Sequence, residues 1–200
     1  MTSQKFAICL VAVALFAGVV SVHAADYSEG VNAYQRGDYA TALRIFRQLA
    51  DQGSADAQSN LGVMYAYGQG VTQDYGAAVR WYRKAADQGY SSAQSDLGGM
   101  YRKGWGVPQD YAEAVKWYRK AADQGYAHAQ YNLGVMYDKG LGVPQDYVQS
   151  HMWYNLAATR GLKLGRKSRD SLAKQMTPAQ IAEAQRLARE WKPKGSLIPL

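Results

Sequence analysis

The chain has 200 residues, a single cysteine and a formal net charge of +7. One cysteine excludes a disulfide framework, so stability must come from packing. Residues 25–159 carry 12 Lys and Arg against 13 Asp and Glu, while residues 160–200 carry 10 against 3. The basic balance therefore belongs to the C-terminal segment and argues against a body built to hold nucleic acid.

The chain opens with a short polar stretch, an apolar run from Phe6 to Val22, and Val22-His23-Ala24. This pattern predicts a secretory signal peptide, residues 1–24, cleaved after Ala24. The run of 17 residues is at the short limit for a membrane span of roughly 20. Cys9 lies inside it, so the mature chain would have no cysteine. The expected location is periplasmic or secreted.

Beyond residue 25 the sequence repeats itself. DYAEAVKWYRKAADQG, Asp110 to Gly125, stands 36 residues after DYGAAVRWYRKAADQG and 36 before DYVQSHMWYNLAATRG. A more distant copy, DYATALRIFRQLADQG, runs from Asp38 to Gly53. A fixed period of this size predicts an all-α array of stacked helix pairs. Asp110 is placed to cap a helix, Glu113 follows as in a capping box, and Gly125 stops the helix in a left-handed turn. Ala114, Trp117 or Tyr118, Ala121 and Ala122 recur at three- and four-residue steps and form one apolar face. A preceding helix is marked by Ala57, Leu61, Gly62 and Tyr65, with counterparts 36 and 72 residues later. The recurring glycine predicts a close approach of the partner helix, with the tyrosine packing over it. The expected units are 27–53, 54–89, 90–125 and 126–161, within an array of residues 25–161.

The pattern A-x-x-x-L-G-x-x-Y, G-x-G-V-x-Q-D-Y, A-x-x-W-Y-x-x-A-A-x-x-G resembles the Sel1-like repeat, a branch of the tetratricopeptide superfamily. The first, shorter unit looks more like an ordinary tetratricopeptide repeat. The resemblance implies an α/α superhelical solenoid that presents surfaces to partner proteins. After Gly161 the repeat phase is lost. In the basic C-terminal segment, residues 162–200, Thr177-Pro178 starts a helix well. Ile181, Ala184, Leu187, Ala188 and Trp191 give it an apolar side, so residues 178–191 are expected to cap the array. Residues from Pro193 onward are expected to fray.

The leading functional expectation is a non-catalytic adaptor that binds a partner protein or peptide in the superhelix groove. Spacing places Ser59, Val63 and Tyr67 on the face away from Leu61 and Gly62. Ser95, Arg102 and Lys103 follow, then His128, Tyr131, Asp138 and Lys139. Asn32, Gln35 and Arg36 extend the row. The mixture suits an extended peptide or a partner helix. No cofactor or metal is expected, because the histidines of the array have no second ligand at metal spacing. Nucleic acid is not expected either. Arg160, Lys163, Arg166, Lys167 and Arg169 predict weak contact with anionic envelope material. An alternative comes from the resemblance. Some cysteine-rich relatives are described as penicillin-binding proteins or β-lactamases, which implies a hydrolase of cell-wall material or a β-lactam. This chain lacks those cysteines, and Ser171-x-x-Lys174 fits the S-x-x-K nucleophile motif without its companions.

Overall fold

In the computed structural model, which describes residues 27–194, ten helical segments follow one another and no strand occurs among the described residues. Residues 27–35 form α1. It is followed by α2 (Tyr39–Asp51), α3 (Ala55–Tyr67), α4 (Tyr75–Asp87), α5 (Ser91–Lys103) and α6 (Tyr111–Asp123). Then come α7 (Ala127–Lys139), α8 (Tyr147–Thr159), α9 (Lys163–Ala173) and α10 (Pro178–Glu190). From α2 to α9 each helix packs mainly on its sequence neighbours, as a solenoid requires, while α10 folds back onto α8. The expected leader, residues 1–24, lies outside the described residues.

The helix starts follow the aspartates. The Asp110 carboxylate accepts the Glu113 N–H at 2.9 Å, and Asp38, Asp74 and Asp146 do the same in their units. The expected capping box is not completed at Asp110, because Glu113 turns outward and pairs with Lys116 at 2.9 Å. The reciprocal box is found at Thr177 and Gln180 of α10. Gly125 ends its turn at φ +89°, as a left-handed stop requires.

The helix glycines do mark close approaches, but the partner differs from the expected tyrosine. A Cβ on Gly98 would lie 2.8 Å from the Tyr118 ring of α6. Gly62 meets Tyr82 and Gly134 meets Tyr154 in the same way, while Gly30 meets Phe46. Tyr65, Tyr101 and Tyr137, three residues further on, point along the array instead. Their hydroxyls accept from Arg47, Arg83 and Arg119 on the preceding helix. A three-residue step falls about 60° short of a full turn, so the side chain lies to one side of the ring contact, where it meets the arginine.

A second tie joins whole units. Gln88 Nε2 donates to Gln58 at 2.8 Å, and Gln124 Nε2 donates to Gln94 at 2.8 Å. The third acceptor, Gln130, is fully buried and its Oε1 is unpartnered. Its donor position is Arg160, whose guanidinium instead stacks 5.4 Å from the Trp191 ring. The array thus changes its stapling at the last unit, where α9 and α10 close it. Ala184 and Ala188 are buried there, with Ile181, Leu187 and Trp191 packed beside them. The expected fraying does not begin at Pro193, and residues 195–200 lie outside the described residues. Lys194 Nζ lies 2.9 Å from the Asp123 carboxylate, and its N–H donates to the Asp123 carbonyl.

Candidate partner-binding cleft

One row of side chains from α3, α5 and α7 borders a cleft. On α3 that row runs through Asp56, Asn60, Val63 and Tyr67, at steps of four, three and four. The expected row, Ser59, Val63 and Tyr67, takes two steps of four and so drifts around the helix. Ser59 is consequently buried, a correction to its expected exposure. Val63 is half-buried against the core of the second unit. Asn32, Gln35 and Arg36 are exposed at the end of α1. Tyr131 is half-buried, its ring 5.6 Å from that of Tyr154. Asp138 and Lys139 pair at 3.2 Å beside a smaller cleft one unit further along.

The remaining five expected residues come together. Tyr67, Ser95, Arg102, Lys103 and His128 line one cleft of about 430 Å³, within the size range of ligand sites. Ser95, like Ser59, is buried, a correction to its expected exposure, although it lines the cleft. Buried Tyr82 and Tyr118 line the cleft as well, and Trp105 stacks on Tyr75 at 4.8 Å. Tyr67 is 70% exposed and Trp105 37%, two of the three large apolar side chains left exposed among the described residues. Arg102 Nε donates to the Tyr118 hydroxyl at 3.3 Å, and the Lys103 ammonium sits 3.8 Å over Trp105.

Asp96, which the spacing argument missed, also lines this cleft. It is half-buried on α5, and burial alone pushes its carboxyl up to about 6. Burial likewise raises Tyr118, with Arg102 pulling in the opposite direction. The signal for Asp96 lay in comparing the units. The positions 36 residues before and after it are Asn60 and Asn132. Gly99 departs in the same way, since Val63 and Val135 hold its place. A Cβ there would meet only the Tyr118 hydroxyl, at 3.7 Å, so the missing side chain opens the cleft.

Ser171 lines the smaller cleft, whereas Lys174, exposed at the end of α9, does not. His151 of α8 is buried away from both clefts, and burial lowers its pKa. Among the described residues no helix is long and apolar enough to cross a membrane.

The family model for the Sel1 repeat matches residues 24–54, 55–90, 91–126 and 127–162, so the chain belongs to the Sel1 repeat family. The short first unit is matched with the others. Among the solved structures that match are the following two. One is c5321, a protective antigen present in uropathogenic Escherichia coli strains and displaying an SLR fold. It is 39% identical with a TM-score of 0.72, over 76% of this chain and 32% of that one. The other is a Sel1 repeat protein from Oxalobacter formigenes, 35% identical with a TM-score of 0.67, over 72% of this chain and 59% of that one. This chain thus spans a third to three fifths of the length of those relatives. No curated protein matches it.

Proposed function

We propose that this protein is a non-catalytic binding module, exported to the periplasm or secreted, that holds a segment of a partner protein in the cleft between α3, α5 and α7. The observation that carries this reading is the placement of Tyr67 and Trp105, exposed aromatics on the walls of a concave site. Exposed aromatics beside a concave polar site are the usual anchors of protein recognition. Export rests on the leader-like first 24 residues. Proteins cross-linked to the mature chain in an envelope extract should be captured less by Tyr67→Ala/Trp105→Ala, by about tenfold. An unchanged set of captured proteins would move the binding face elsewhere.

A second contact is proposed for α9. Lys163, Arg166 and Lys167 are exposed on it, and Leu164 among them is 53% exposed. Arg169 contributes less, because it is tied to Asp170 at 2.7 Å and to Asn155 at 2.9 Å. Such a face suits weak attachment to anionic envelope material. Binding to vesicles containing anionic lipid should fall several-fold between about 50 and 300 mM salt, as the Debye length shrinks. It should fall again when Lys163, Arg166 and Lys167 become glutamine. Binding insensitive to both changes would remove this contact.

A further inference from the structure

The geometry points to a partner segment of defined charge: an extended stretch in which Lys or Arg stands two residues from Asp or Glu, the cation seated on Asp96 and the acid on Arg102 and Lys103. This rests on the concave cleft being the binding face. Asp96, Gly99 and Lys103 fall at steps of three and four, hence on one side of α5. The acid and the bases are separated by six or seven residues, about 9–10 Å along the axis. Between them Gly99 leaves open space over the Tyr118 hydroxyl. In an extended segment residues i and i+2 share a face about 6.6 Å apart. Flexible basic side chains cover the remaining distance.

Of these charges, Asp96 has the strongest reason to take a partner. Asp96 is half-buried, and no described cation forms an ion pair with it, Arg102 being turned to Tyr118. A carboxylate held out of water without a counter-charge gains most from an arriving ammonium or guanidinium. The walls also accept cations, as the Lys103 ammonium over Trp105 already shows. The two rim bases exceed the single acid, so a purely basic segment would be repelled there and a mixed one would not. The units on either side lack this arrangement, with asparagine and valine in place of Asp96 and Gly99.

The neighbouring units supply the test variants. Asp96→Asn and Gly99→Val each install a residue that the same fold already carries 36 positions away. A phage library of random octapeptides would be selected on the full mature chain, and an enriched peptide synthesised for anisotropy titration. The expected result is enrichment of basic-x-acidic triplets. Affinity should drop about tenfold with Asp96→Asn, with Gly99→Val, and with norleucine replacing the peptide's basic residue. Asp96→Asn and the norleucine change should not add, because they remove one contact. Peptides that bind without a basic residue, or that bind Asp96→Asn equally well, would overturn this inference and leave the cleft as a binding face. Failure to enrich any peptide would overturn both. Thermal melts of the two variants, expected at or above that of the parent chain, check that they remain folded.

Discussion

Asp96→Asn is expected to raise the free energy of unfolding by about 2–3 kcal/mol at pH 7.5 and to change it little at pH 3.5. The sign follows from the direction of the shift. Burial lifts the Asp96 carboxyl from 3.8 to about 6 in the folded chain. Between those values the folded state holds a proton that the unfolded state releases, so stability falls as pH rises. The penalty is absent below the unfolded value and complete above the folded one. Asparagine carries no charge and escapes it. The comparison of the two chains cancels the shared groups that do not feel Asp96, and Tyr82 and Tyr118, which do, are raised further above this pH range. Urea unfolding at four pH values from 3.5 to 7.5 gives the difference directly. A difference that is flat with pH would mean that Asp96 ionises in the folded chain as it does in water. A module stabilised by the change that weakens its binding is the expected cost of a charged site held ready for a partner.

Gly98→Leu should be the most damaging single change at a helix position of the middle unit, while Gly99→Val, next to it, should be harmless. At Gly98 the added Cβ would stand 2.8 Å from the Tyr118 ring and 3.2 Å from the Ala114 carbonyl oxygen. Neither can retreat without moving α6, so overpacking should cost about 3 kcal/mol. That corresponds to a fall in melting temperature of roughly 6–12 °C for a chain of this size. At Gly99 the nearest atom lies at 3.7 Å, and replacing glycine in a helix recovers a few tenths of a kcal/mol. Circular dichroism melts of the two variants should therefore diverge in opposite directions. Equal melting temperatures would show that α5 and α6 do not meet at Gly98.

The array was legible because its rules are local and repeated. A capping aspartate, a stopping glycine and an apolar face recur at one period, and each copy checks the others. The cleft was only half legible. Tyr67, Lys103 and His128 are exposed and Arg102 half-buried on a predictable face, and spacing finds them. Asp96 escaped because a single acid in a polar row carries no periodic signal, and its half-burial depends on Tyr82 and Tyr118 arriving from other helices. Ser59 was misplaced for a geometric reason, since repeated four-residue steps leave the face they began on. The change of stapling at the last unit was visible as Arg160 in a column of glutamines. Its meaning required Trp191, which packs there only once α10 has folded back.

The loop glycines carry a consequence for how such a chain changes over generations. Gly106 sits against the backbone of Tyr75, and Gly142 against that of Tyr111, so each loop is seated on the helix start of the unit before it. The shorter first unit keeps such a seat too, Gly70 lying against Tyr39. A whole unit of 36 residues brings its own loop and its own seat. A duplicated unit can therefore be accommodated whole, and each copy of the middle unit inserted beside itself would bring another Asp96 and another Gly99 next to the first. Valency, on this view, is inherited in the same steps as length.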